Sequence, residues 1–152
     1  MSKYIICDID WTIANLDHRL HFIEWNKKDY DAFYDACWED TPIVPVIRAI
    51  RSLRFFMHWP LQEFELVFVT GRSDRVREIT EDWLRKNWLY VSKLYMRPHG
   101  DNIPDVELKK RIYDEHLKDK DIFCVFDDRP RVVKMRRDLW LFVFDVNHRW
   151  EF

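Results

Sequence analysis

Short apolar runs rich in β-branched and aromatic residues recur along the chain at Tyr4 to Cys7, Phe64 to Val69, Lys93 to Met96, Ile122 to Phe126 and Leu139 to Val146. Each has the length of a strand buried on both faces, where apolar positions run on rather than alternate. Between them lie amphipathic stretches of helical length at Val44 to His58, Asp74 to Asn87, Pro104 to Leu117 and Pro130 to Arg137. Ser73 and Asp105 are candidate caps, and Pro104 and Pro130 suit a first helical turn, where no N–H is needed. Strand alternating with helix predicts an α/β fold, one parallel sheet with helices on both faces.

The stretch from Asn15 to Asp40 breaks this rhythm. It is crowded with charges and with Phe22, Trp25, Tyr30, Phe33, Tyr34 and Trp38, and reads as two short helices inserted after the first strand, a small cap over about residues 15–40. There is no internal repeat and no linker, and 152 residues suit one domain spanning 1–152. In open α/β sheets ligands bind beyond the carboxyl ends of the strands, so chemistry is expected in the loops after the first, second and fourth strands.

Composition narrows the class. With 47% apolar and 34% charged residues the chain is not a disordered one. A formal net charge of −2 supplies no global basic field for wrapping a duplex. Cys7, Cys37 and Cys124 form no C-x-x-C pair and are odd in number, which fits reduced thiols in a cytoplasmic protein. The first residues open directly into a strand-like run and no apolar stretch reaches the ~20 residues of a membrane span; neither export nor a membrane is expected.

The three loops carry the unusual residues. Asp8-Ile9-Asp10-Trp11-Thr12 follows the first strand, and extended geometry sends both carboxylates the same way, about 7 Å apart along the backbone. One acid can attack while the other handles protons, but two anions facing a phosphate require a cation. Magnesium and a lysine would supply it. The second strand ends in Val69-Thr70-Gly71-Arg72 before a helix, joining a hydroxyl, free N–H groups and a positive helix terminus where phosphate oxygens commonly sit. The fourth ends in Asp127-Asp128-Arg129-Pro130, adjacent acids for which a metal is the economical explanation. Lys109 lies on the preceding helix beside Lys110 and Arg111; spacing alone does not single it out. Each motif has an ordinary reading as a turn, a cap or a solvated face, and their order along the chain is what argues against coincidence.

That order, D-x-D-x-T, then T-G-R, then Lys, then D-D, resembles the four-motif signature of haloacid dehalogenase-type phosphatases over nearly the whole chain. A narrower resemblance is to the phosphatase domain of bacteriophage polynucleotide kinase/phosphatase, a nucleic-acid repair family that removes 3′-phosphates from strand ends. It rests on Arg19 eleven residues after Asp8, on Arg72, on Asp105 four residues before Lys109, and on Asp127-Asp128-Arg129-Pro130-Arg131-Val132-Val133-Lys134-Met135 against D-D-R-x-x-V-V-x-M. The resemblance implies a Rossmann-like sheet. It also implies Asp8 as nucleophile, Asp10 as general acid then base, Thr70 on phosphate and Lys109 for charge neutralisation. Magnesium would be held by Asp8, the Asp10 carbonyl and Asp128, with Asp127 supporting the metal site or Lys109. Arg19, Gly71 and Arg72 would hold the substrate, and Asp105 would orient a neighbouring basic group.

Trp11 stands where the family has Gly, which brings a large ring to a position of special backbone freedom. No G-x-x-x-x-G-K-[ST] occurs, so a phosphatase standing alone is expected, with kinase or ligase activity left to a separate partner. The substrate is then a phosphorylated nucleic-acid end, DNA or RNA; the rivals are a mononucleotide phosphatase and an inactive phosphate-end binder disabled by Trp11. Oligomeric state is not legible. His18 and His21 have zinc-like spacing but no further ligand nearby. The cap aromatics suit packing first and base stacking second, and the arginines at 72, 75, 77, 129, 131, 136 and 137, with Lys134, read mainly as solvated helix faces.

Overall fold

A computed structural model describes residues 2–24, 28–56 and 64–148. The chain opens with β1 (Lys3–Cys7) and enters an insertion made of β2 (Ala14–Asn15), a 3₁₀ turn (Asp17–Phe22), α1 (Tyr30–Asp35), a second 3₁₀ turn (Ala36–Glu39) and β3 (Thr41–Pro42). It continues through α2 (Val44–Phe56), β4 (Phe64–Ser73), α3 (Arg77–Lys86), β5 (Lys93–Arg97), α4 (Asp105–His116), β6 (Ile122–Asp127), α5 (Pro130–Asp138) and β7 (Val143–Asp145). The five long-range strands form one sheet in the order β5-β4-β1-β6-β7, every neighbouring pair parallel. This is the expected α/β architecture, with β1 at the centre.

The continuous apolar runs are explained by burial of both faces. Ile5, Leu66, Phe68 and Cys124 point to one side, against Ile47 and Ile50 of α2 and Trp83 and Leu84 of α3. Ile6, Val67, Val69 and Val125 point to the other, against Leu108 and Ile112 of α4 and Val133 of α5. Period-two alternation thus feeds two cores from each strand. The carboxyl ends of β1 and β6 lie side by side, with Cys7 opposite Phe126, so the acids after each strand meet.

The insertion has a core of its own, Trp11, Leu16 and Phe33, and the antiparallel pair β2–β3 closes its base. Two short helical segments were expected within 15–40; α1 and two 3₁₀ turns are found, and Trp25 lies outside the described residues. The insertion is fastened to the body by Arg75 on Asp35 at 2.7 Å and by Trp83 Nε1 donating to the Asp40 carbonyl at 2.7 Å.

Several boundaries differ from expectation for local reasons. β4 runs on to Ser73, so Thr70, Gly71 and Arg72 lie in the strand, and its register with β5 shifts between Val69 and Ser73. Ser73 does cap, accepting from Arg75 N, but it caps a 3₁₀ turn (Asp74–Val76), and α3 begins only at Arg77. The positive helix terminus expected directly after Gly71 is therefore displaced. Asp105 is not a cap: α4 starts on it after Pro104, with no side-chain cap bond, because its carboxylate is drawn to neighbouring cations. Pro130 begins α5 as expected. The last strand is shorter than Leu139 to Val146, since α5 runs to Asp138 and Trp140 turns the chain at φ 62°. α2 is described to Phe56, and the remainder to His58 lies outside the described residues.

Candidate active site

Asp8 leaves the end of β1 almost wholly buried. Lys109, projected inward from the first turns of α4, places Nζ 3.0 Å from Asp8 Oδ1, 3.0 Å from Asp127 Oδ2 and 3.4 Å from Asp105 Oδ2. Lys109 is thereby singled out from Lys110, which turns outward to Asp114, and Arg111, which reaches Asp101. The Thr12 hydroxyl lies 3.4 Å from Asp8 Oδ2 and 3.2 Å from Asp128 Oδ1, tying the flap after β1 to the loop after β6.

Carboxylate oxygens of Asp8, Asp127 and Asp128 lie within 4.8 Å of one another, the one such acidic group among the described residues. Lys109 pairs directly with Asp8 and Asp127 but not with Asp128, and the electrostatics reflect the shortage of positive charge. Burial raises the Asp8 pKa well above the carboxylate range; Lys109 opposes, and Asp127 and Asp128 add to the rise. Burial and then Asp127 push Asp128 up to about 6. Hard oxygen donors crowded together and short of positive charge are what a divalent cation such as magnesium fits.

Asp10 belongs to a second circuit. Its Oδ1 accepts from Arg72 Nε at 2.7 Å and from Arg19 Nη2 at 3.2 Å. Burial works against its charged form, but Arg72 and then Arg19 outweigh it and hold the carboxyl below the usual range. Both arginines are fully buried and both also grip Asp40: Arg19 through Nε at 2.7 Å and Nη2 at 2.8 Å, Arg72 through Nη2 at 2.5 Å. Arg19 further donates to the Phe33 carbonyl and lies 4.2 Å over the Phe33 ring. Two guanidiniums and two carboxylates thus lock the cap to the catalytic strand, and Asp10 hangs from that lock with its side chain 20% exposed toward the cleft.

The remaining expected residues fall around these circuits. Gly71 lines the cleft and has no room for a side chain: an added Cβ would stand 2.5 Å from Asp105 Oδ1. Asp105 is held below its ordinary pKa, with Lys109, Arg129 and Arg97 overcoming burial. Thr70 is fully buried, and its hydroxyl accepts from the Arg72 N–H at 3.2 Å. Asp127 stands beside Lys109 and also accepts from Arg129 N.

The cleft above Asp8 and Asp10 has a volume of about 660 Å³. Leu16, Leu20, Ile23, Tyr30 and Phe33 of the cap line one side; the loop from Arg97 to Ile103, with Arg129, lines the other. Trp11 is 8% exposed and packs on Leu16 and Phe33 at φ 62°, so it joins the cap core rather than standing as a loose entrance ring. Tyr30 is half exposed at the cleft wall, whereas Phe33 is buried and Trp38 is exposed away from the cleft lining. His18 is occupied by Asp40 at 2.9 Å and His21 rests on Phe22.

Sequence reasoning overlooked Asp40 and Arg97. Asp40 was taken only as the end of the cap; the signal that would have found it is the need for a second acid once Arg19 and Arg72 share one carboxylate. Arg97 donates to the carbonyls of Gly71 at 3.1 Å and Ile103 at 2.7 Å, a backbone role no motif announces. The reading of Arg136 and Arg72 as parts of solvated faces is overturned, since both are fully buried, Arg136 on the inner face of α5 and Arg72 at the end of β4 against Asp10 and Asp40.

Comparison with known proteins gives the family and the fold. A family profile described as the polynucleotide kinase PNKP phosphatase domain matches residues 2–149. A putative bifunctional polynucleotide kinase/RNA ligase of Autographa californica nuclear polyhedrosis virus is 31% identical over 139 residues, 90% of this chain and 18% of that protein. A solved Pnkp1/Rnl/Hen1 complex contains a chain with a TM-score of 0.76 and 28% identity, covering 94% of this chain and 45% of its own. A haloacid dehalogenase-like hydrolase from Streptococcus pneumoniae shares the fold, with a TM-score of 0.61 at 11% identity over 94% of this chain and 83% of its own. The chain therefore spans about a fifth of the curated relative and under half of the matched chain in that complex.

Proposed function

The chain belongs to the polynucleotide kinase phosphatase-domain family of haloacid dehalogenase-type phosphatases, and on that premise we propose that it removes 3′-phosphates from nucleic-acid ends through an aspartyl-phosphate. The observation that carries the reading is the pairing of Asp8, bound to Lys109 among acids that suit a metal, with Asp10 held apart by Arg19 and Arg72. The names of the relatives, an RNA ligase fusion and an RNA-repair complex, favour RNA ends over DNA, and a kinase or ligase as the working partner.

In this reading Asp8 attacks phosphorus in line, and the bond to the 3′-oxygen breaks as that oxygen takes a proton from Asp10. Lys109 offsets charge on Asp8 and on the arriving phosphate. Asp10, ionised again, then takes a proton from water, whose oxygen attacks the phosphorus of the aspartyl-phosphate, releasing inorganic phosphate and restoring Asp8. Magnesium would be held by Asp8, Asp128 and the Asp10 carbonyl, with Asp127 in support, and would supply neutralising charge between carboxylates and phosphate. Arg72 and Arg19 hold Asp10 toward its ionised form, and the negative field of a bound phosphate ester would raise the carboxyl's pKa and favour the protonated form that acts as an acid. Arg19 and Arg72, buried against Asp10 and Asp40, position Asp10, and Arg72 keeps Nη1 without a partner among the described residues. Thr70 orders the β4 bulge behind the phosphate, and Gly71 keeps that wall open.

The test is inorganic phosphate release, with magnesium and with EDTA, from 3′-phosphorylated RNA and DNA oligonucleotides and from 3′- and 5′-mononucleotides, against Asp8→Asn. Metal-dependent release preferring the oligonucleotide supports an end-healing phosphatase. A preference for mononucleotides assigns the site to free nucleotides, and no release above the blank from folded protein leaves a phosphate-end binder.

A further inference from the structure

Arg136 on α5 is fully buried, and its Nε, Nη1 and Nη2 have no hydrogen-bond partner among the described residues. Its guanidinium carbon lies 5.7 Å from the ring centroid of Tyr113, which stands one helical turn beyond Lys109 on α4. The charge therefore sits in the seam where α4 and α5 pack beneath the catalytic loops. A buried guanidinium with all donors unmet is heavily penalised unless a nearby negative field compensates it. That field comes from the site above: burial lowers the Arg136 pKa, while Asp127, then Asp8 and Asp105, push it back up. A framework arginine would be expected to satisfy its donors; this one satisfies none, and the helix that carries it begins two residues after Asp128.

Direct hydrogen bonds from Arg136 to Asp8 or Asp127 would occupy lone pairs needed for attack and for the cation. A charge one layer below relieves the repulsion among Asp8, Asp127 and Asp128 and leaves their oxygens free. The same charge repels an arriving divalent cation and attracts an arriving phosphate. We propose that Arg136 is an electrostatic positioning residue, a fixed buried cation behind the Asp8–Asp127–Asp128 cluster that weakens the hold on the divalent metal and strengthens the hold on phosphate. The inference rests on the catalytic reading of that cluster, and not on which phosphate ester is cleaved.

The experiment is titration calorimetry of the intact folded protein with magnesium chloride, and with inorganic phosphate at saturating magnesium, for the parent, Arg136→Met, Arg136→Gln and Arg136→Lys. The neutral variants should bind magnesium at least about tenfold more tightly and phosphate more weakly by a similar factor, as removal of one unit charge about 10 Å from a divalent ion at an effective dielectric near 20 predicts. Arg136→Lys, which keeps the charge and changes the shape, should stay close to the parent. Magnesium affinity in a folded neutral variant that is unchanged or weaker overturns the proposal. Failure of both neutral variants to fold assigns the charge to stability and overturns it equally. Neither titrant is a nucleotide, so loss of the end-healing reading would leave this result standing.

Discussion

Asp40→Asn is the sharpest test of the lock that holds Asp10. In the native network the carboxylate accepts from Arg19 at 2.7 and 2.8 Å and from Arg72 at 2.5 Å, with His18 Nε2 at 2.9 Å. The amide keeps one acceptor oxygen and presents an NH2 group to guanidiniums that are themselves only donors. Two buried cations would then share Asp10 alone. Removing one partner of a buried pair costs about 3–5 kcal/mol, a large part of the ~5–15 kcal/mol that holds a domain together. At ~2–4 °C per kcal/mol for a chain of this size, the melting temperature should fall by about 6–20 °C. Calorimetric or circular-dichroism melts read this directly. Glu39→Gln is the control, since Glu39 is exposed and only 3.8 Å contact with His18 is lost. Asp10 would also lose its competitor for both arginines and drop further in pKa, slowing the step in which it gives up a proton. A melting temperature for Asp40→Asn within about 2 °C of the parent, under 1 kcal/mol on that scale, would refute the argument that Asp40 neutralises the buried arginines.

Gly71→Ala puts a methyl group 2.5 Å from Asp105 Oδ1, and Asp105 is held by Arg129 at 3.3 Å, Lys109 at 3.4 Å and Arg97 at 3.5 Å. It should lose about 1–3 kcal/mol in urea melts and slow phosphate release by displacing Lys109; parental values for both would mean Asp105 swings away freely. Trp11→Gly relieves ~1–2 kcal/mol of left-handed strain but forfeits ~3–5 kcal/mol of aromatic packing, a net loss of about 1–4 kcal/mol, and a more stable variant would show that the ring is not part of the cap core. In EDTA, acidification from neutral pH toward about 5 should raise the melting temperature. Asp128 has a folded pKa of about 6 against ~4 unfolded, so its ionisation destabilises the fold as pH rises through that window and continues to do so above it. Asp10 and Asp105 are depressed in the fold; their stabilisation is present above the ordinary carboxylate range and is lost only as pH falls through their folded values. Magnesium should abolish the gain on acidification, and a gain that persists with the metal would remove Asp128 from its site.

The layers of the fold were legible because both-face burial leaves a mark on every strand, and the ends of β1 and β6 were legible because polar residues interrupt that mark abruptly. The β4 end was less so: Thr70-Gly71-Arg72 looks like a loop by composition, yet the bulge against β5 lets the strand absorb it. What local pattern could not reveal is which charges are paired inside. Arg19 and Arg72 resemble surface arginines one at a time, and Asp40 resembles a turn residue; only the closing of the cap onto β1 brings their charges together. Lys109 could be chosen over its neighbours through the family resemblance, and the helix geometry gives the physical reason, since Lys110 and Arg111 point to Asp114 and Asp101.

Asp8 and Asp10, the acids proposed as nucleophile and proton donor, are two residues apart and stand in opposite electrostatic settings. Burial among carboxylates raises Asp8, whereas two arginines lower Asp10. Chemistry needs the reverse, an ionised Asp8 to attack and a protonated Asp10 to release the leaving oxygen. With those roles each ligand works toward one half of what the chemistry needs: positive charge among Asp8, Asp127 and Asp128 favours the Asp8 anion, and the negative charge of a phosphate ester beside Asp10 favours its neutral form. An arrangement of this kind couples reactivity to occupancy of both subsites without requiring a large movement of the cap.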